Sequence, residues 1–314
     1  MTLDRRDAGL AALALALPLL ALVASLPQRP LILGVINNFA HAPVFGAFAV
    51  IVALLIGRHS RLPAYARYGL AFASAVAAGG VIELVQPSLG RGAEWRDLAN
   101  DAFGAIAGLA LQLAFTIGPT RRRVLAALAA CAAAAPVTWP VAEAALAYGA
   151  RHHRFPTILQ DRDWRDRYFV RPSGVEITRE ALPAEWARGG DMPALRIRIT
   201  GGRWPGITHA EPHPDWSAYS RILLDLTNAG SRPLALTLRV HDRRHDNRAA
   251  DRFNRTFELP ARQRTVLAIA LEEVALAPKG RGLDLSRIAG VILFSTGDPA
   301  EIGREYYLTR VWLE

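Results

Sequence analysis

Long apolar runs constrain this chain more than any other feature. From Gly9 to Leu26 there is no charged side chain, and Arg5 and Arg6 precede the run. As a helix, such a stretch is long enough to cross a hydrocarbon core of ~30 Å. Four further runs follow, at Pro43 to Gly57, Gly69 to Val85, Asp101 to Ile117 and Val124 to about Val141. A backbone in lipid must satisfy its own hydrogen bonds, so each run predicts a helix. The last is mostly alanine and carries Pro136 and Pro140, which membrane helices tolerate better than soluble ones. The first run also fits a cleaved signal peptide, given its basic start and the small residues Ala24 and Ser25. The topology beyond it is the same in either case.

Near Tyr148 to Arg151 the pattern changes: charged residues recur every few positions and apolar ones alternate over short stretches. The expected fold class is therefore a membrane α-helical bundle of about five transmembrane helices over 1–150, followed by an all-β sandwich over 151–314. Arginine in short loops sets orientation. Arg5 and Arg6, then Arg58, Arg61 and Arg67, then Arg121, Arg122 and Arg123 would all be cytoplasmic. The loops Pro27 to Ala42 and Pro87 to Asn100 then face outward. Five crossings place the sandwich outside the inner (cytoplasmic) membrane, in the periplasmic or extracytoplasmic space.

The net charge of +9 raises the question of nucleic acid, since 36 of the 37 basic residues are arginine and only Lys279 is lysine. Those arginines are dispersed rather than gathered on one helix face, so no nucleic-acid partner is expected. The single cysteine, Cys131, cannot form a disulfide within the chain.

Ionisable groups near membrane spans are costly and need a reason. Here Asn37, Asn38 and His41 precede the second run, Glu83 and Gln86 share a face at the end of the third, and Arg91 lies in the next loop. Asp97, Asn100 and Asp101 open the fourth, with Gly104 and Gly108 continuing that face as a small-xxx-small packing stripe. This order of His41, Glu83-Leu84-Val85-Gln86, Arg91, Asp97 and spaced glycines resembles the VanZ-like family of membrane proteins. The match covers about Asn37 to Gly108. It departs from the family pattern in placing Asp101 where an Asn follows the Asp by four residues. The resemblance implies a cell-envelope setting, the founding member being associated with glycopeptide resistance, and implies no particular reaction.

Three readings fit the constellation from its chemistry. It is a structural ion cluster; or it binds a headgroup through His41, Glu83, Gln86, Arg91, Asp97, Asn100 and Asp101; or it is catalytic, with His41, Glu83 or Asp97 as acid/base groups. No nucleophile motif, phosphate loop or strong metal signature decides whether the chain is an enzyme.

Period-two alternation marks the second half. It runs through Leu195, Ile197 and Ile199, then Ile222, Leu224 and Leu226, then Leu234 to Val240, with further strands expected at Phe253 to Leu259, Thr265 to Leu271, Gly290 to Ser295 and Glu305 to Leu313. The Asp215-Trp216-Ser217-Ala218-Tyr219 run, Asp251 to Asn254, Leu283 to Ile288 and the closing Tyr307 to Val311 strand resemble jelly-roll, galactose-binding-like carbohydrate-binding modules. That resemblance implies glycan contact, for which Trp204, Trp216, Tyr219, Asp242 and His245 are the candidates. Such sandwiches often hold a structural calcium; otherwise no cofactor and no metal site is expected. His241, Asp242, His245 and Asp246 read as a solvated loop rather than a metal site.

The sequence-based expectation is thus a membrane protein binding or sensing a glycan or lipid-linked sugar headgroup on the outer face. A non-catalytic scaffold with a protein-binding sandwich, and a membrane enzyme, are the alternatives.

Overall fold

A computed structural model describes residues 4–24, 26–27, 29–90, 92, 94–189 and 193–314. The chain divides into two compact units, Met1–Ala145 and Leu146–Glu314.

The first unit is helical: α1 Arg5–Val23, α2 Leu31–His59, α3 Ala64–Val85, α4 Trp95–Thr116 and α5 Thr120–Arg154, whose last turns pass into the second unit. All five are long and apolar enough to cross a membrane. The Asp4 side chain caps α1 by accepting from the backbone N–H groups of Arg6 and Asp7. Pro30 and Pro63 stand at the starts of α2 and α3, where a missing N–H costs nothing. A 3₁₀ turn over Gln86–Leu89 closes α3 and ends at Gly90, whose φ of 75° favours glycine.

Several boundaries differ from the sequence reading. Pro43 lies inside α2 rather than at its start, so Leu31 to Ala42 is helix and not loop. Likewise α4 begins at Trp95, so Asp97 and Asn100 are helical. Their polar side chains turn inward between helices, and a proline is tolerated there because packing supports the freed carbonyl. Helix α5 also runs on to Arg154 through Pro136 and Pro140.

Helices α2 and α4 approach closest. A Cβ on Gly46 would lie 2.8 Å from the Gly104 carbonyl oxygen, and one on Gly108 would lie 2.6 Å from that of Gly46. A Cβ on Gly104 would overlap the Ala42 carbonyl. Only residues without side chains permit this approach, which is the small-residue mode of packing in apolar bundles. At the far end of α2 from His41, buried Asp7 accepts from Arg58 Nη1 and lies 3.0 Å from His59 Nε2, tying α1 to α2.

The second unit is an antiparallel sandwich. Its strands are β1 Thr157–Leu159, β2 Val170–Ser173, β3 Val175–Glu180, β4 Ala194–Ile199, β5 Gly206–His209, β6 Arg221–Asn228, β7 Leu234–Asp242, β8 Phe253–Leu259, β9 Gln263–Ala270, β10 Ile288–Ser295 and β11 Glu305–Leu313. One sheet runs β3-β4-β11-β6-β9, with β1 also pairing β11; the other runs β2-β5-β10-β7-β8. Inward residues such as Leu195, Ile197, Leu224, Leu226, Leu236, Leu238 and Leu293 form one core between the sheets. His209 joins this core, and burial pushes its imidazole down to about 3, so it is neutral there. Arg264 pairs with Asp225 through Nη2–Oδ2 at 2.6 Å, both side chains nearly buried across the β6–β9 pair.

Candidate functional site

In the helical unit, His41 sits between two acids of α4. Its Nδ1 lies 3.0 Å from Asp101 Oδ1, and its Nε2 lies 3.9 Å from Asp97 Oδ2. Phe45, one turn along α2, stacks on the imidazole at 6.4 Å between centroids, fixing the ring plane. Asp101 is 0% exposed because its carboxylate lies against Gly79 of α3, where any Cβ would overlap Oδ2. Helix α3 brings Glu83 and Gln86 to the same end, and Glu83 Oε2 accepts from the Glu94 backbone N–H at 2.6 Å. Asn100 Nδ2 donates to the Asn38 carbonyl at 3.2 Å, while Asn37 Oδ1 accepts from the Leu26 N–H at 3.0 Å.

The structure therefore gathers His41, Glu83, Gln86, Asp97 and Asp101 as buried groups contributed by three helices, with Asn100 beside them. Arg91 lies outside the described residues. Three of the buried atoms, Glu83 Oε1, Gln86 Nε2 and Asp101 Oδ2, have no hydrogen-bond partner among the described residues. A buried polar atom left unsatisfied costs ~1–3 kcal/mol, so a cluster of them calls for an explanation. Its described members are carboxylates, an imidazole and amides, a set suited to hydroxyl donors and unsuited to a bare anion. Gly79 is a residue that sequence reasoning missed, because its partner Asp101 is distant in the chain.

The sandwich separates the proposed glycan-contacting residues. Trp204 is 52% exposed, edge-on to Phe294 with ring centroids 5.7 Å apart. Trp216 is 0% exposed, with its indole N–H donating to the His213 carbonyl at 2.7 Å, so it belongs to the core and offers no face to a sugar. Tyr219 is half-buried against Phe155 at 5.2 Å.

Asp242 is also no ligand group. It is buried, and Arg281 Nη1 and Nη2 donate to its two oxygens at 2.6 and 2.9 Å, with the Asp284 N–H adding a third bond at 2.8 Å. The expected solvated loop is thus pinned by an arginine distant in sequence. His245 Nδ1 lies 3.3 Å from the Asp251 carbonyl and its side chain is 8% exposed, so it too is engaged within the loop. His245, Asp246 and Asp251 bring ligand atoms within 4.8 Å of one another. Arg281 Nε already donates to Asp251 Oδ1, and a guanidinium there opposes a cation.

Beside Trp204 lies Arg239, a group the sequence did not single out. The Arg239 guanidinium lies 4.8 Å over the Phe294 ring, and its Nε donates to Asn254 Oδ1 at 3.1 Å. Register puts Arg239 opposite both Ile292 and Asn254, and Phe294 opposite Thr237. Only strand pairing could reveal that these residues share one face.

No family model matches the chain, and no curated protein matches it. Among solved structures, an exo-β-agarase aligns at 14% identity and a TM-score of 0.40, covering 50% of this chain and 24% of that one. The family 11 carbohydrate-binding module from Clostridium thermocellum, in complex with a β-1,3-1,4-mixed-linked tetrasaccharide, aligns at 14% identity and a TM-score of 0.35, covering 46% of this chain and 88% of that one. The CBM22-1 xylan-binding domain from Paenibacillus barcinonensis Xyn10C aligns at 17% identity and a TM-score of 0.30, covering 46% and 85%. The chain spans about a quarter of the agarase's length. At these identities and TM-scores the likenesses carry neither a ligand nor a role to this chain. The VanZ-like resemblance rests on its motif alone.

Proposed function

We propose that this is a multi-pass cell-envelope membrane protein whose helical unit binds the hydroxyl-rich headgroup of a lipid-linked sugar at the His41 cluster, with the sandwich on the extracytoplasmic side. The observation that carries this reading is the set of buried, unmatched atoms Glu83 Oε1, Gln86 Nε2 and Asp101 Oδ2 around the His41–Asp101 pair. A purely structural cluster would gain nothing from leaving them unmatched. Sugar hydroxyls supply both donors and acceptors, so one headgroup can satisfy the carboxylates and the Gln86 amide together. The acidic character of the described cluster favours a neutral head over a phosphate.

Binding of hexadecyl maltoside to the full chain in phosphatidylcholine nanodiscs tests the proposal. Hydrogen bonds to charged groups contribute ~1.5–3 kcal/mol, so Glu83→Gln and Asp101→Asn are each expected to weaken binding about tenfold or more while the protein stays monodisperse. Unchanged affinity in both variants would remove the headgroup reading.

A second reading, catalysis, draws on one specific feature. Asp101 orients His41 through Nδ1, as a carboxylate orients a general-base imidazole, with Nε2 3.9 Å from Asp97 Oδ2.

For the sandwich, we propose glycan contact on the Trp204 surface. Exposed aromatic faces beside planar polar side chains stack on sugar rings and bond their hydroxyls, and Trp204, Arg239 and Asn254 provide both. Trp204→Ala is expected to abolish binding of the full chain on a glycan array, whereas Tyr219→Phe leaves it intact. Equal glycan binding by wild type and Trp204→Ala would place any site elsewhere.

A further inference from the structure

An open groove of about 710 Å³ lies in the helical unit between α2 and α4 on one side and α5 on the other. It begins at Phe39, Ala42 and Phe103 and runs to Phe115 and Thr116. From Phe103 to Thr116 is about 20 Å of helix at ~1.5 Å per residue. Its floor is the close approach of Gly46, Gly104 and Gly108, where missing side chains leave a trough. Its far wall is Ala130, Cys131, Ala134 and Val137 of α5, which among the described residues does not pack closely against α2 or α4.

The lining is largely apolar, the Gln112 amide being its polar exception among the described residues. Thr116 Oγ1 donates to the Gln112 carbonyl at 3.0 Å, and Thr138 Oγ1 donates to that of Ala134 at 3.1 Å, so both hydroxyls are satisfied by their own helix. Each threonine then adds a methyl group to the wall. The volume falls within the ~300–1,000 Å³ usual for ligand sites.

The position of the groove identifies its occupant. Its starting residues Ala42 and Gly104 follow His41 by one residue and Asp101 by three, so an apolar trough starts at the level of the buried polar cluster. A buried polar cluster and an apolar trough that starts at its level fit an amphiphile with one long chain. We infer that the groove holds the single hydrocarbon chain of the sugar lipid whose head occupies the His41 cluster, an inference that rests on the headgroup reading above. The lipid is taken in from the side, with its chain lying along α4 and its head beside Asp101.

Cys131 makes this testable without a substitution, since it is the only thiol in the chain, is exposed, and lines the groove. The full chain in phosphatidylcholine nanodiscs is alkylated with a membrane-permeant maleimide, alone and with saturating hexadecyl maltoside, hexadecanol or maltose. The inference expects hexadecyl maltoside to slow alkylation at least fivefold and maltose to leave it unchanged. If hexadecyl maltoside binds in the nanodisc assay and Cys131 reacts at its free rate, the groove inference fails and the headgroup reading stands. If hexadecanol protects as well as the glycoside, the chain site stands and the headgroup reading fails. A thiol shielded before any glycoside is added, together with a dimer by mass photometry, would show a second copy in the groove and overturn the inference.

Discussion

Gly104→Leu is expected to yield no monodisperse protein, because the α2–α4 approach has no room for a side chain at this position. Any Cβ on Gly104 overlaps the Ala42 carbonyl, a backbone atom that cannot rotate away. Overpacking a well-packed interface costs ~1–3 kcal/mol, occasionally more, and here the two helices would have to separate. That separation would also pull His41 from Asp101, the two lying one and three residues before the contact. Even Gly104→Ala should lower the melting temperature of the purified full chain, read by circular dichroism in detergent. Gly80→Ala is the control. Its Cβ meets nothing within 4 Å, and alanine is the better helix former by ~0.5–1 kcal/mol, so stability should hold or rise. Equal melting temperatures for Gly104→Ala and Gly80→Ala would refute the close approach.

The second large effect is expected in the sandwich. Arg281→Met leaves Asp242 buried without its guanidinium, and removing one partner of a buried pair costs ~3–5 kcal/mol. With Arg281 itself partly exposed, about 3 kcal/mol is the expected loss, or roughly 6–12 °C in the sandwich transition for a unit of this size. Its pH dependence has a defined sign. Burial alone would raise the Asp242 carboxyl, but the bonds from Arg281 and from the Asp284 N–H outweigh it and hold it below the usual range. Arg281 likewise holds Asp251 down to about 2. Both folded values lie below the unfolded one, so this stabilisation is present above about pH 4 and is lost as pH falls towards 2. In Arg281→Met, burial governs Asp242 and raises its carboxyl instead. The deficit should then be largest at neutral pH and shrink on acidification, and Asp242→Asn added to Arg281→Met should restore part of it. Calorimetry from pH 7 to 4 distinguishes the two; a deficit independent of pH would mean that Arg281 acts by packing alone.

Much of the architecture was legible because it follows from local chemistry. Five apolar stretches became five helices, and the seven alternating stretches became β4 and β6 to β11. Four strands escaped: β3, Val175–Glu180, alternates but is a half-exposed edge strand, and the other three have little pattern. Strands β1 and β5 are three and four residues long. Strand β2 carries Pro172 at the sheet edge, where a missing N–H is harmless but reads as a break. Pro43 misled in the same way, since a proline ends most helices and only a packed bundle carries one in the interior.

The sequence by itself determined the two materials of the chain and the residue types of the polar constellation, because hydropathy and period are properties of neighbours along the backbone. Tertiary structure alone decided which of those residues meet. It set Gly79 against Asp101, joined Arg281 to Asp242, buried Trp216 while exposing Trp204, and opened a groove beside His41. Each of these depends on the spacing between elements far apart in the chain, which is fixed by how closely small side chains let two surfaces approach.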